Sequence, residues 1–430
     1  MIEVIVNRPS FEYDIHSLVK SFFPREDVQI HVQDTFTEDT ALRISVEFTD
    51  ETVSICLMEQ GEEKESGASV INYAERKETK NRLKRQLYQL LCAYTGQTLP
   101  WGTLTGIRPA KIAMGLIEQG MSNVETAEYM RNTYLASKEK VALSVMIANR
   151  ERYVLRNIDY KDGYSLYVGI PFCPSICLYC SFSSYPLERW RKQVDQYLDA
   201  LCKELDYVAD RFRDKKLNTV YIGGGTPTTL EPYQLDRLLT RIQSKFDTEH
   251  LQEFTVEAGR PDSITREKLQ VLLDHGIDRI SINPQTMNQK TLEIIGRRHT
   301  VDQVKEAFTL ARSMGFAHIN MDLIVGLPGE SYDDVEHTMK ELEAMAPDSV
   351  TVHSLAIKRA ARLSLFKDKY EEMGLENNMQ IMDMTARYCA EMGLSPYYLY
   401  RQKNMAGNFE NVGYAQPEKA GIYNKVGGQA

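Results

Sequence analysis

Hydrophobic residues in the C-terminal two thirds of the chain occur in short runs that recur at regular intervals. The runs are rich in Val, Ile, Tyr and Phe, the residue types that favour β-strands. The strands that they predict are SLYVGI (165–170), TVYIG (219–223), FTVEA (254–258), RISIN (279–283), HINMDLIVG (318–326) and SVTVHSL (349–355).

Amphipathic helical patterns such as QLDRLLTRIQSKF and VDQVKEAFTLARSMG separate these runs. Near-continuous apolar strands that alternate with helices are typical of a parallel sheet built from βα units. The six units are two short of a full (β/α)8 barrel. The pattern therefore predicts an α/β fold with a partial (β/α)6 barrel, and a doubly wound sheet is the alternative.

Residues 1–160 have a different pattern, which predicts a separate N-terminal α+β accessory domain. Its short strands are predicted at IEVIV (2–6), VQIHV (28–32), ALRISVEF (41–48) and TVSICLM (52–58). A helix is predicted over about 72–95, because Leu83, Leu87, Leu90 and Leu91 share one face. We expect a barrel core over 161–365 and a C-terminal segment over 366–430.

Composition narrows the function classes. The net charge of −9 and the isoelectric point near 5.6 do not favour a dedicated nucleic-acid-binding protein, which usually carries a basic excess. No apolar run approaches the roughly 18 residues that span a bilayer, and the N-terminus lacks a signal-peptide pattern. These features predict a cytoplasmic protein without a membrane partner.

Three of the seven cysteines are clustered in YVGIPFCPSICLYCSF (167–182). Cys173, Cys177 and Cys180 have the spacing C-x3-C-x2-C, with no fourth cysteine nearby. In a reducing compartment such a cluster favours metal binding or catalysis over disulfides. Three thiolates suit three irons of a [4Fe–4S] cluster and leave the fourth iron open, whereas structural zinc usually needs four ligands. Zinc with a fourth ligand from elsewhere remains the alternative.

The unusual residues fall at the ends of the predicted strands. The cysteine loop follows the first strand, GGGTP (223–227) the second and Glu257 ends the third. Gln285 follows the fourth strand, Asp322 lies on the fifth, and the sixth ends near Ala356. Because the C-terminal ends of parallel strands meet at one rim, we expect these residues to form one site.

The cysteine spacing followed by GGGTP resembles the radical S-adenosylmethionine (SAM) superfamily. In that family the open iron binds SAM, and an electron from the cluster yields a 5′-deoxyadenosyl radical. The motifs Y-x-G-I-P-F-C, GGGTPTTL, Q-x11-R, D-L-I-x-G-L-P and H-S-L-A resemble more closely the oxygen-independent coproporphyrinogen III oxidases (coproporphyrinogen dehydrogenases). The N-terminal extension and TGIRPAK resemble their HemZ branch.

The resemblance implies a role for each matching residue. Cys173, Cys177 and Cys180 would hold the cluster. The remaining matching residues would contact SAM: Tyr167, Tyr179, Gly224, Gly225, Thr226, Glu257, Gln285, Arg297, Asp322 and Ala356. A guanidinium suits the SAM carboxylate, and carboxylates accept hydrogen bonds from ribose hydroxyls.

The implied activity is the oxidative decarboxylation of coproporphyrinogen III to protoporphyrinogen IX in haem biosynthesis, with a reductase or flavodoxin-type electron donor. A haem-trafficking protein with little turnover, or a radical SAM tetrapyrrole methyltransferase, is the alternative. The substrate's propionates need cationic partners, for which Arg298, Lys358, Arg359, Arg362 and Arg401 are candidates.

Two departures from the family pattern qualify this expectation. Phe182 stands where the dehydrogenases have a further cysteine, and haem-chaperone relatives also lack that cysteine. The sequence ends at IYNKVGGQA, where family members continue, so the resemblance predicts a truncated C-terminal segment and a less closed substrate cavity.

Overall fold

The structure is a computed structural model. It describes residues 1–24, 26–32, 40–106, 108–156, 158–159, 162–358, 360–365, 370, 373–401 and 409–426. These residues belong to two compact units, Met1–Ala148 with Arg401–Asn404, and Asn149–Tyr400 with Met405–Ala430.

The first unit is built on a five-stranded mixed sheet. Its strands are β1 (Ile2–Val6), β2 (Val28–Val32), β3 (Leu42–Phe48), β4 (Thr52–Glu59) and β5 (Glu62–Val70), in the order β2-β1-β3-β4-β5. The helices that begin within it are α1 (Glu12–Phe22), α2 (Arg76–Thr95), α3 (Pro109–Glu118), α4 (Asn123–Tyr134) and α5 (Lys138–Leu155).

The four strands expected here and the leucine-rich helix are confirmed. The predicted leucine face of α2 is buried in one apolar core with β1 and β3. Strand β5 has no counterpart in the prediction. Its sequence, EEKESGASV, is polar because β5 is an exposed edge strand that pairs only with β4 in the sheet.

The second unit contains the predicted βα units. Its strands are β6 (Gly163–Ile170), β7 (Phe172–Cys173), β8 (Tyr185–Pro186), β9 (Lys216–Gly224), β10 (Glu253–Glu257), β11 (Arg279–Ser281), β12 (His318–Val325), β13 (Ser349–Ser354), β14 (Ser395–Tyr400) and β15 (Asn411–Ala415). Its helices are α6 (Leu187–Trp190), α7 (Val194–Arg211), α8 (Pro232–Lys245), α9 (Arg266–Asp274), α10 (Gln289–Ile294), α11 (Val301–Met314), α12 (Tyr332–Met345), α13 (Arg362–Leu365), α14 (Met379–Glu391) and α15 (Tyr423–Val426).

The main sheet has the order β14-β15-β13-β12-β11-β10-β9-β6. Its six parallel strands, β6 and β9 to β13, are arranged in chain order, with each bonded to the next. A doubly wound sheet would reverse direction at a switch point. The curled half-barrel is therefore confirmed, and β15 extends it by antiparallel pairing with β13.

The two faces of this sheet differ in polarity. One register row runs through Tyr167, Tyr221, Thr255, Arg279 and His318, one residue from each of five strands. The alternate positions carry buried aliphatic side chains: Val168, Val220, Ile222, Val256, Ile280 and Ile319. Polar and apolar side chains thus alternate along these strands, which are not continuously apolar as predicted, because one face of the sheet carries polar groups of the site.

Local sequence signals define the helices that follow the strands. Capping boxes begin α8, α11 and α12 at Glu231, Thr300 and Ser331, and Gly315 ends α11 in the left-handed conformation. Among the helices in the described ranges, none has the length and apolarity needed to cross a bilayer.

Candidate active site

The cysteine loop is attached to the turn after β9 by backbone hydrogen bonds. The amide of Gly225 donates to the Ile170 carbonyl (2.7 Å), and the amide of Thr226 donates to the Phe172 carbonyl (2.8 Å). The Cys173 thiol lies 3.6 Å from the Thr226 hydroxyl. The GGGTP turn therefore lies directly beside the first cysteine, as the sequence predicts.

Two of the glycines in this turn have no room for a side chain. Gly224 has a φ of +111°, a conformation that L residues with a Cβ rarely adopt. A Cβ on Gly225 would lie 2.6 Å from the Phe172 carbonyl oxygen and 3.0 Å from the Cys173 sulfur. Glycine at this point permits the close approach of the turn to the cysteine loop.

The middle of the loop is held by the segment after α10. The amide of Leu178 donates to the Ile295 carbonyl (2.9 Å), and the Ser175 hydroxyl donates to the Gly296 carbonyl (2.8 Å). Leu178 is buried in an apolar cluster against which the half-buried Tyr179 packs. Burial raises the pKa of Tyr179 well above its ordinary value, and the neighbouring Cys177 contributes to the shift.

Arg260 contacts the same loop and was not singled out from the sequence. Its guanidinium donates to the Ser175 carbonyl (3.2 Å) and lies 3.7 Å from the Cys177 sulfur. Arg260 follows the third strand by three residues, in an RPD tripeptide. An arginine with a carboxylate two residues away, just after a strand, is the sequence signal that could have identified it.

Burial raises the pKa of the Cys173 and Cys180 thiols. Within the described ranges, no three His, Cys, Asp or Glu side chains are grouped as a metal site.

Glu257 ends β10 on the polar face. The Tyr221 hydroxyl donates to its Oε1 (2.6 Å). Burial and the nearby Asp322 charge raise the pKa of Glu257 to about 7, against the opposing effects of Tyr221 and His353. Tyr167, which is half-exposed, has its ring 6.1 Å from that of Tyr221 and nearly parallel to it.

Asp322 and His353 face each other from β12 and β13. The Asp322 carboxylate accepts a hydrogen bond from Asn320 (2.7 Å), and its Oδ2 lies 3.7 Å from His353 Nε2. Burial alone would raise the pKa of Asp322. The nearby His353 and the Asn320 hydrogen bond together outweigh burial and hold the pKa of Asp322 below its ordinary value.

Gln285 adopts a left-handed backbone conformation, with a φ of +68°. Its amide donates to the Asp322 carbonyl (3.0 Å), and its own carbonyl accepts from Ile324 (2.9 Å). These bonds to β12 keep a non-glycine residue in a conformation that costs about 1–2 kcal/mol. Such strain often marks a functional position.

Three buried polar atoms at this rim lack hydrogen-bond partners among the described residues. They are Ser281 Oγ, Asn283 Oδ1 and Gln285 Oε1. Buried polar groups are normally paired, so unpaired ones that lie together indicate a position for a ligand or water. The sequence identified Gln285 through the Q-x11-R motif, but only the structure shows that Ser281 and Asn283 also carry unpaired polar atoms.

Arg297 is buried, and its guanidinium is occupied by main-chain carbonyls. Nη1 donates to the Asn283 and Pro284 carbonyls, and Nη2 donates to the Gly259 carbonyl (3.1 Å). The side chain thus ties together the ends of β10 and β11. Its Nε has no partner among the described residues.

Ala356 lies two residues beyond β13 and is half-buried. Among the cationic candidates, Arg298 is exposed and Lys358 Nζ lies 6.0 Å from the Phe182 ring centroid. Arg362 lines a groove of about 400 Å³ with Leu178 and Tyr370.

Two cationic candidates remain. Arg401 belongs to the first unit, where it donates to the Leu104 carbonyl (2.6 Å). Arg359 lies outside the described residues, as do positions 402–408 and 427–430.

Comparisons with known proteins agree with this geometry. Residues 167–342 match the radical SAM superfamily. The chain is 43% identical over 352 residues to the oxygen-independent coproporphyrinogen-III oxidase-like protein HemZ of Bacillus subtilis, covering 81% of this chain and 70% of that protein. It is 36% identical over 229 residues to the heme chaperone HemW of Lactococcus lactis, covering 52% of this chain and 59% of that protein.

Among solved structures, the fold is similar to coproporphyrinogen III oxidase (HemN) from Escherichia coli, a radical SAM enzyme. The TM-score is 0.51 at 26% identity, covering 62% of this chain and 58% of that chain. This chain therefore belongs to the radical SAM superfamily, in the family that includes HemZ, HemN and HemW. That superfamily uses a [4Fe–4S] cluster and SAM.

The residues at the rim fit these groups. The donor set is three thiols with no fourth cysteine nearby. Glycine at position 225 lets the turn pack against the Cys173 sulfur, and the unpaired atoms of Ser281, Asn283 and Gln285 offer hydrogen-bonding capacity for a polar ligand.

Proposed function

We propose that Cys173, Cys177 and Cys180 bind the [4Fe–4S] cluster and that SAM lies along the rim beside them. The observation that carries this proposal is the convergence of the cysteine loop, the GGGTP turn and the unpaired polar atoms on the ends of consecutive strands. When bound, the cluster and SAM supply a carbon-centred radical that abstracts hydrogen from a substrate.

The chain's own residues would bind and orient SAM. The turn at Gly224, Gly225 and Thr226 would present main-chain groups to its methionyl end. Glu257 and Asp322 would accept hydrogen bonds from its ribose, with Asp322 ionised and Glu257 partly protonated near pH 7. Gln285 and Arg297 would bind its polar groups through the amide and Nε, while Tyr167, Tyr179 and Ala356 would border it.

For the substrate, we propose coproporphyrinogen III. Two of its propionates would each lose a hydrogen atom to the SAM-derived radical, carbon dioxide, and one electron to an external one-electron acceptor, giving the two vinyl groups of protoporphyrinogen IX. Support comes from the HemZ and HemN relatives and from Lys358 and Arg362, which flank the cysteine loop and could bind propionates. The electron that reduces the cluster would come from a flavodoxin-type reductase, and a cytoplasmic location would keep the three thiols reduced.

A haem-trafficking role is the second candidate. Phe182 in place of a further cysteine, together with the similarity to a heme chaperone over 52% of the chain, favours it. Phe182 is 72% exposed beside the cysteine loop, so its ring could contact a bound macrocycle.

The test is anaerobic turnover by the reconstituted protein with coproporphyrinogen III, SAM and a one-electron reductant. We expect 5′-deoxyadenosine together with loss of carbon dioxide from the tetrapyrrole, and neither product from the Cys173→Ser variant. Haem bound at one equivalent, without 5′-deoxyadenosine, would establish the trafficking role instead. A gain of a methyl group in the product mass would indicate a methyltransferase.

A further inference from the structure

Arg260 is buried, with 2% of its surface exposed, and its whole guanidinium is used. Nη1 donates to the Ser175 carbonyl (3.2 Å) and lies 3.7 Å from Cys177 Sγ. Nη2 donates to the Ser175 hydroxyl (3.1 Å). One side chain thus holds Ser175, two residues before the second cysteine, and reaches the sulfur of that cysteine.

The Asp262 carboxylate balances this charge. Asp262 accepts from Arg260 Nε (3.1 Å) and Nη2 (2.9 Å), a bidentate pairing that orients the guanidinium plane. Asp262 Oδ1 also lies 4.0 Å from the buried His299 Nδ1. Burial and the Arg297 charge lower the pKa of His299 to about 3, so that imidazole is neutral and adds no positive charge.

The position of this ion pair relative to the sulfur has an electrostatic consequence. The cationic nitrogen Nη1 points toward Cys177, while Asp262 contacts the Nε and Nη2 nitrogens. Hydrogen bonds to cluster sulfurs and nearby charge are main determinants of iron–sulfur reduction potentials. A buried cation stabilises the more negative, reduced state, and little solvent is present to screen it.

We propose that Arg260 is a positioning residue with two effects: it orders the cysteine loop through Ser175, and it raises the reduction potential of the cluster through Cys177. This inference rests on the proposed ligation by the three cysteines. The step concerned is the transfer of one electron from a one-electron reductant to the [4Fe–4S]2+ cluster, which gives [4Fe–4S]1+ with no bond made or broken.

Three variants separate charge from hydrogen bonding. Arg260→Gln removes the charge, so the ratio of reduced to oxidised cluster at a fixed solution potential should fall about tenfold, equivalent to a potential lower by about 59 mV. Arg260→Lys keeps the charge but loses the bidentate guanidinium geometry. Its ratio of reduced to oxidised cluster should therefore fall less than that of Arg260→Gln. Asp262→Asn removes the balancing carboxylate, so its ratio should rise.

The ratio is measured by EPR during a mediated anaerobic titration with dithionite, alongside the iron content of each protein. Hydrogen exchange of amides 175–178 in the metal-free proteins reports loop order. We expect these amides to exchange faster in both metal-free Arg260 variants than in the metal-free wild type.

The outcomes are distinguishable. A wild-type protein that binds no cluster overturns the proposed ligation and this inference with it. A wild-type cluster whose potential is unchanged in Arg260→Gln and Asp262→Asn overturns the inference alone. If Arg260→Gln loses its iron, the other two variants decide. Reduction potentials that shift in opposite directions from wild type in Arg260→Lys and Asp262→Asn support the charge effect, and equal reduction potentials in these two variants refute it.

Discussion

Tyr221 on β9 donates a 2.6 Å hydrogen bond to Glu257 at the end of β10, which couples two neighbouring strands at the polar face of the half-barrel. The bond favours the ionised carboxylate, but burial and the Asp322 charge outweigh it and raise the pKa of Glu257 to about 7. The carboxyl group therefore titrates in the physiological range.

This titration should appear in stability. Because the pKa of Glu257 is raised from 4.5 to about 7, folding favours the protonated form. The resulting stabilisation is fully present below about pH 4.5 and is lost as the pH rises through about 7. The wild type should therefore lose about 2–3 kcal/mol of unfolding free energy relative to Glu257→Gln between pH 5 and pH 8.

Urea unfolding of both proteins at the two pH values measures this difference. Glu343→Gln, at an exposed position on α12, is the control and should show a constant offset from wild type. If the difference in unfolding free energy between wild type and Glu257→Gln is the same at both pH values, the raised pKa of Glu257 is contradicted.

Replacing any one of the three clustered cysteines by serine should abolish the cluster. Cys173→Ser, Cys177→Ser and Cys180→Ser should each retain far less iron after anaerobic reconstitution than the roughly four atoms per chain expected of a [4Fe–4S] centre. Cys202→Ser is the matched control, since Cys202 is buried in α7. Colourless wild-type protein with stoichiometric zinc would refute the prediction.

The turn after β9 should not tolerate a methyl group. In Gly225→Ala the new Cβ would lie 2.6 Å from the Phe172 carbonyl oxygen and 3.0 Å from the Cys173 sulfur. The cysteine loop must then move, so we expect iron content to fall and the melting temperature to drop by several degrees. Gly169→Ala is the control, because its Cβ would meet only the Tyr167 ring at 3.5 Å. Equal iron contents in the two variants would be inconsistent with this packing.

The strained backbone at Gln285 separates stability from ligand binding. Gln285→Gly relieves the φ of +68° and should raise the unfolding free energy by roughly 0.5–1 kcal/mol. It also removes the unpaired side-chain amide, so SAM affinity should fall. Ala346→Gly, at a φ of +53° at the end of α12, should show the stability gain alone. Calorimetric unfolding measures the stability of the two variants, and a titration measures their affinity for SAM. Unchanged SAM affinity in Gln285→Gly would remove Gln285 from the site.

Arg297→Ala should weaken SAM binding about tenfold or more, since a charge-assisted hydrogen bond contributes about 1.5–3 kcal/mol. The cluster should still assemble, because Arg297 is not itself one of the three proposed iron ligands. Arg298→Ala, at the adjacent exposed position, should bind SAM as the wild type does. The prediction fails if isothermal titration gives the same SAM affinity for both variants.

The sequence by itself determined the parallel strands of the half-barrel and the ends at which the unusual residues lie. This was possible because strand propensity, helix capping and the glycine turn depend on residues close together in the chain. Strand β5, by contrast, has no apolar pattern of its own. It is an exposed edge that pairs with β4 through the backbone, so tertiary context decided it.

The side-chain contacts within the site were also decided by tertiary structure. The Q-x11-R motif identified Gln285 and Arg297, but only the fold directs the Arg297 Nη groups to the carbonyls of Gly259, Asn283 and Pro284. Arg260 reaches Ser175 and Cys177 across more than eighty residues of sequence. Which donor meets which acceptor at such separation depends on how neighbouring strands and loops pack, and no local pattern of residues encodes that pairing.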